Sequence, residues 1–112
     1  MALNSRFQNS KKELTEIIKD AFQKNNIAAN VYFVVPNNVQ MKYPCLKIDV
    51  NNIQNRMADD RVYNQNVSYK LTVITTKKFD ELVDTVSQLP KTVFNTTYTS
   101  NNLYHYVFIM TL

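Results

Sequence analysis

Residues 67–73 have the sequence Val-Ser-Tyr-Lys-Leu-Thr-Val, in which apolar and polar side chains alternate at every position. Successive side chains of a β-strand point to opposite faces of a sheet, so this pattern predicts a strand with one face on a core. Residues 46–50, Leu-Lys-Ile-Asp-Val, repeat the pattern. We therefore predict two strands that form a long hairpin, joined by a sizeable polar connection over residues 51–61.

Three further strand patterns flank this hairpin. Residues 31–35 are β-branched or aromatic and are stopped by Pro36, which predicts the first strand. Residues 92–98 and 104–110 predict the last two strands, with a turn at residues 100–102. Because residues 104–110 look apolar on both faces, we expect the last strand in the middle of the sheet.

Two helices are predicted from apolar residues that recur every three or four positions. The first begins with Ser10 and Glu13, which have the spacing of a capping box, and ends near Asn25; it could start earlier, near Ser5. The second runs from Phe79 to Pro90. Its apolar positions are Leu82, Val83, Val86 and Leu89.

The predicted order α-β-β-β-α-β-β favours an α+β fold in a single domain of residues 1–112. We expect an antiparallel sheet with both helices packed on one face. The other face would then have no cover from within the chain. Exposed apolar faces of this kind are typical of protein-protein contacts, so we expect subunit assembly there.

The composition excludes several kinds of site. The chain has no glycine, which rules out glycine-rich phosphate loops. One cysteine, Cys45, and one histidine, His105, are too few for structural zinc, and we expect no metal or cofactor. We expect no membrane segment and synthesis in the cytoplasm. Asparagine tolerates positive φ, so the pairs at residues 25–26, 37–38, 51–52 and 101–102 are predicted to mark turns.

Catalytic interpretations are weaker than structural ones. Cys45 and His105 could form a thiolate pair, but a buried thiol and a packed imidazole are the ordinary outcomes in such strands. Asp59 and Asp60 could bind a hard cation, but the surrounding sequence lacks the alternating oxygen ligands of a calcium loop. A solvated turn or an intersubunit ion pair with Arg61 fits better. We predict that the protein is not an enzyme.

Tyrosine is the notable excess, with seven residues in 112, and tyrosine is enriched where proteins meet. We assign Tyr69, Tyr104 and Tyr106 to the core. The tyrosines left as interface candidates are Tyr32, Tyr43, Tyr63 and Tyr98.

The formal net charge is +4 and the isoelectric point is near 9.2, but lysines occur in pairs at most. Aromatic residues on a basic sheet would also suit single-stranded nucleic acid, although no segment matches the RNA-recognition signature. A small basic nucleic-acid-binding module therefore stays a minor alternative.

The sequence from Lys42 onward resembles the tail-terminator and tail-completion proteins of tailed bacteriophages. Three stretches carry the resemblance: residues 43–48, Tyr-Pro-Cys-Leu-Lys-Ile; residues 58–63, Ala-Asp-Asp-Arg-Val-Tyr, before residues 69–74; and residues 98–108. Leu89-Pro90 followed by Val93-Phe94 is also similar. Asparagine stands where glycine is common in the turns of that family.

The resemblance implies a virion protein that forms a ring, expected to be a hexamer, on the growing end of the tail tube. It would stop polymerisation and join the tail to the connector of the head, with DNA only passing through the lumen. The connection over residues 51–63 is expected to be a docking arm. The interface candidates are Tyr43, Asp59, Asp60, Arg61, Tyr63 and Tyr98. A head-side neck or adaptor protein is the main alternative.

Overall fold

The computed structural model describes residues 6–34, 40–58, 61–78 and 80–112, and side chains within residues 8–34, 40–54, 66–78 and 80–112. The described chain is an α+β fold in which two helices pack on a five-stranded sheet, as predicted. The elements are α1 Arg6–Lys24, β1 Asn30–Phe33, β2 Cys45–Ala58, β3 Arg61–Thr75, α2 Glu81–Ser87, β4 Thr92–Ser100 and β5 Leu103–Thr111.

The strands lie in the order β1-β2-β3-β5-β4. β5 lies between β3 and β4, which agrees with its apolar sequence on both faces. The prediction of a wholly antiparallel sheet is wrong at one edge, because β1 pairs with β2 in parallel, with Asn30 opposite Cys45 and Phe33 opposite Ile48. β2 begins at Cys45, opposite the first residue of β1, so the two strands run in the same direction.

One face of the sheet, which we call the helix face, carries the core. The alternating residues Val67, Tyr69, Leu71 and Val73 of β3 are all fully buried there. They pack with residues of both helices and of the neighbouring strands, namely Leu14, Ile18, Phe22, Leu82, Val86, Leu89, Leu46, Ile48, Phe108, Met110 and Leu112. Both helices therefore cover this face, and about 25 cal/mol per Å² of apolar area removed from water stabilises the arrangement.

Asparagine residues end elements as predicted at two of the four pairs. Asn26 has φ of 53° directly after α1, where the Ile27 amide donates to the carbonyl of Phe22 at 2.9 Å. Asn101 and Asn102 have φ of 53° and 63° and connect β4 to β5, since two positive φ values suit a tight hairpin turn. The pair Asn51-Asn52 lies in β2, so its predicted turn is wrong, and Asn37-Asn38 lies outside the described residues.

The predicted polar connection over residues 51–61 is also wrong. β2 continues to Ala58 and β3 begins at Arg61, so only residues 59 and 60 separate the two strands. Among the described strands, β1 pairs with β2 no further than Ile48, and β5 pairs with β3 from Ser68 onward. The β2–β3 ribbon beyond Asn52 therefore extends past its neighbours; we call residues 52–66 the arm. The long axis of the molecule is 50 Å.

Candidate protein interface

The face of the sheet opposite the helices is only partly open. Cys45, Thr72, Ile74 and Val107 are buried there, although neither helix covers them. The expectation that this face has no cover within the chain is therefore wrong at its centre. Part of the cover is the segment 40–44, which is tied to β1 by the Lys42 amide donating to the Tyr32 hydroxyl at 3.0 Å.

A groove of about 250 Å³ lies on this helix-free face and brings together two of the predicted interface residues, Tyr43 and Tyr98. Tyr43 is 40% exposed and Tyr98 is 47% exposed. The Tyr98 ring stacks on the His105 ring of β5, with centroids 4.6 Å apart and planes 13° apart. The His105 Nδ1 atom lies 3.1 Å from the Leu103 carbonyl oxygen, which fixes the ring on that side. The groove thus offers two exposed aromatic rings, one of them held in place by its neighbour.

Lysines and an aspartate line the same groove, next to the tyrosines. Lys47 Nζ and Asp49 Oδ2 are 3.8 Å apart at the surface, and exposed Lys70 lies across from Asp49 in the β2–β3 register. Surface ion pairs of this kind contribute about 0 to 1 kcal/mol and mainly orient partners. The groove therefore has mixed charge, which favours a protein partner over a run of phosphates.

Cys45 and His105 do not meet. Cys45 is opposite Ile74 in β2–β3, and His105 is opposite Ile74 in β3–β5, so one strand separates them. Two strand spacings amount to about 10 Å, too far for a hydrogen bond. Burial raises the pKa of the Cys45 thiol from 9.0 to about 11, although the positive charge of Lys47 acts to lower it. The raised pKa disfavours the reactive thiolate.

The other predicted interface residues belong to the β2–β3 turn and arm. Asp59 and Asp60 lie outside the described residues. Arg61 begins β3 opposite Ala58, and Tyr63 is the extra residue of a bulge between the Arg56–Asn64 and Met57–Val62 pairs. The side chains of Arg61 and Tyr63 are outside the described set, so their predicted contacts stay predictions.

The strand pairing is irregular at the base of the arm, where the β2–β3 ribbon extends beyond the sheet. Asn51 is the extra residue of a second bulge, between the Val50–Tyr69 and Asn52–Ser68 pairs, and its side-chain amide donates to the Ser68 hydroxyl at 3.1 Å. A bulge bends and twists the strand that contains it. The side chains of residues 51–54 and Asn66 are exposed.

No protein-family model matches this chain, and no curated protein matches it in sequence.

Within the residues described, no group of three or more histidine, cysteine, aspartate or glutamate side chains could hold a metal ion. Neither α1 nor α2 has the length and apolar character needed to cross a membrane.

Sequence reasoning missed three exposed apolar residues that lie at the two edges of the sheet. Val93 and Phe94 of β4 are 65% and 57% exposed, and Val31 of β1 is 43% exposed. A usable signal existed in β4, whose nine residues include no charge and no proline. Natural edge strands usually carry a charged residue or a proline, which prevents pairing with other chains.

Proposed function

We propose that this chain is a structural subunit that caps a phage tail tube as a ring and provides the surface for joining the head. The observation that carries the proposal is the arm, a two-stranded ribbon that extends from a sheet whose helix face is already packed. An isolated two-stranded ribbon is at best marginally stable in water, so a long one gains stability from a partner. The proposal joins this geometry to the resemblance of residues 43–108 to tail terminators.

The mechanism requires no bond to be made or broken. A tube built by head-to-tail addition stops growing when its last ring presents a surface that cannot accept another tube subunit. The arm would hold the ring on the tube, and the groove with Tyr43 and Tyr98 would meet a neighbouring virion protein. Mixed charge in the groove would set the orientation of docking more than its strength.

The test begins by deleting the gene that encodes this chain and examining the lysate by electron microscopy. We expect tails of uncontrolled length that carry no head. Restoring the chain with an epitope tag at Met1 should place the label at the junction of tail and head. The N-terminus is preferred for the tag because Leu112 is buried, with its amide donating to the Val67 carbonyl at 2.8 Å.

A variant with a short arm tests the carrying observation. Replacing Asn55–Gln65 with the two-residue turn Asn-Gly leaves the Gln54–Asn66 pair as the last of the hairpin. We expect this variant to fold and to fail in capping. The double variant Asp60→Ala with Arg61→Ala separates the contribution of the charged turn. If the short-arm variant gives normal tails joined to heads, the arm is not needed for capping. In the labelling experiment, a label on heads that lack tails would favour the adaptor alternative.

A further inference from the structure

No described strand pairs with the outer side of β1 or of β4. β1 and β4 are the outermost strands, and neither β1 Asn30–Phe33 nor β4 Thr92–Ser100 contains a charged residue. An unprotected edge presents free backbone donors and acceptors to any extended chain. Two such edges in one subunit allow head-to-tail pairing, in which one edge binds the opposite edge of the next copy.

Each edge has one exposed apolar side chain on the helix face, Val31 in β1 and Phe94 in β4. Val31 is opposite Leu46 and Phe94 is opposite Phe108, and both partners are buried on the helix face. Phe94 keeps one contact within the chain, an edge-to-face contact with the Phe108 ring at 5.6 Å. More than half of its surface nevertheless stays exposed.

A groove of about 830 Å³ lies beside β1 on this same face, between β1 and α1. α1 packs over β3, nearer the middle of the sheet, so it leaves the side chains of β1 partly uncovered. The large apolar side chains that line the groove are Ile18, Phe22, Ile27, Val31, Phe33 and Ile48. This volume is ample for an aromatic side chain, which by its size suits an apolar cleft of this kind.

Helical residues of opposite charge lie beside the two edges. Lys11 and Lys19 of α1 line the groove, and Lys11 Nζ lies 4.7 Å from the centre of the Phe33 ring. α2 contacts β4 at the other edge, and its only charged residues, Glu81 and Asp84, are acidic and exposed. The nearby basic residues Lys77, Lys78 and Lys91 lie outside α2, in the loops on either side.

The direction of the strands also fits. β1 runs parallel to β2, and three successive antiparallel pairs make β4 run opposite to β1. When copies repeat around an axis along the strands, β4 of one copy therefore meets β1 of the next in the antiparallel sense. All arms would then project toward the same side of the ring.

We propose that β4 of one copy pairs with β1 of the next copy, so that Phe94 enters the α1–β1 groove and the acidic α2 faces Lys11 and Lys19. The occupant of the groove is thus a second copy of this chain. This inference rests on the proposed function in one respect, that the assembly closes into a ring.

The test uses two variants that each block one edge, Phe94→Lys and Val31→Lys. Sedimentation velocity should show that wild-type protein self-associates and that each variant alone does so about tenfold less tightly or worse. An equal mixture of the two variants keeps one intact pair of edges, so it should form a one-to-one dimer. Pairing of β4 with β4, or of β1 with β1, would instead let one of the variants dimerise alone.

Val93→Thr is the matched control, because Val93 is the neighbour of Phe94 in β4 but points to the helix-free face, and threonine adds no charge to the edge strand. It should assemble like the wild type. Circular dichroism checks that each variant is folded, and Phe94→Thr replaces Phe94→Lys if the latter is not. Charge exchange gives a second measurement: Lys19→Glu should weaken assembly, and adding Asp84→Lys should restore part of it.

Wild-type protein that stays monomeric at every concentration, or blocked variants that assemble normally, would overturn the edge pairing. Either result would leave the proposed function standing if the chain still caps tails in cells. Conversely, assembly that depends on Phe94 and Val31 in a chain whose removal leaves tails unchanged would support the pairing and contradict the capping role.

Discussion

The two faces of the sheet use the same residue type in opposite ways. Tyr69, on the helix face, is fully buried: its hydroxyl shares a hydrogen bond of 2.8 Å with the Ser10 hydroxyl, and its ring lies 6.1 Å from that of Phe33. Tyr98, on the helix-free face, is about half exposed and stacks on His105. Tyrosine content therefore does not distinguish core from surface, whereas the position of each ring relative to the helices does.

The comparison extends to the strands as a whole. On the helix face every other residue of β3 from Val67 to Val73 is buried under helices. On the helix-free face only the middle is buried, and the side chains become exposed toward β4. Substitutions at the buried positions of the helix face should therefore change the free energy of unfolding, and those at the exposed positions of the helix-free face should change binding.

The largest effect is expected from Leu71→Ala, in the middle of the helix face. Leu71 is fully buried, and truncating a leucine at such a position costs about 2 to 5 kcal/mol, because the transfer energy is lost and a cavity remains. Urea unfolding measures the change. The control is Val93→Ala at an exposed site, where we expect about 0.5 kcal/mol or less. A cost below about 1 kcal/mol for Leu71→Ala would mean that the helices do not hold this face closed.

The second prediction compares the two tyrosine hydroxyls. Tyr69→Phe removes a hydrogen bond from a buried site and should cost about 1 to 2 kcal/mol, whereas Tyr98→Phe should be nearly neutral. A double-mutant cycle with Ser10→Ala isolates the energy of the Ser10–Tyr69 pair. If Tyr69→Phe and Tyr98→Phe have equal effects, the distinction between the two faces fails for polar groups.

Much of the fold follows from the sequence, because burial leaves a period in the chain. The α+β class, both helices and the interior position of β5 were predictable, chiefly from the spacing of apolar residues. The parallel pairing of β1 was not, because alternation places Val31 and Phe33 on one face but does not specify the direction or identity of the neighbouring strand.

The strands of the arm could not be predicted from apolar spacing. Its strands are polar, so their sequence favours a loop, yet backbone hydrogen bonds of a ladder need no apolar side chains. The groove with Tyr43 and Tyr98 was equally out of reach. The two tyrosines are far apart in sequence and line one groove because segment 40–44 lies on the helix-free face, near the turn between β4 and β5. Asp59 and Asp60 lie outside the described residues, so their predicted role stays a prediction.

The third prediction concerns Cys45, which is buried although it lies on the helix-free face. Its folded-state pKa of about 11 exceeds the ordinary value of 9.0, so the unfolded chain loses this proton first as pH rises. Its contribution to stability is complete below pH 9 and falls as the pH rises toward 11. Between pH 8 and pH 10, wild-type protein should lose about 1 kcal/mol more than Cys45→Ala. Equal losses would mean that water reaches the thiol.

The smallest effect on stability is expected at Tyr98. Replacement by alanine removes one stacked ring from an edge strand that is already exposed, so the free energy of unfolding should change by about 0.5 kcal/mol or less. The same variant removes the more exposed tyrosine ring of the groove on the helix-free face, so the proposed function predicts a smaller fraction of tails joined to heads in cells. Tyr98→Phe is the control, because it keeps the ring over His105 and should restore joining. If Tyr98→Ala instead lowers the free energy of unfolding by more than about 1 kcal/mol, the stack with His105 stabilises the fold. The Tyr98 ring would then have a structural role rather than a role in binding a partner.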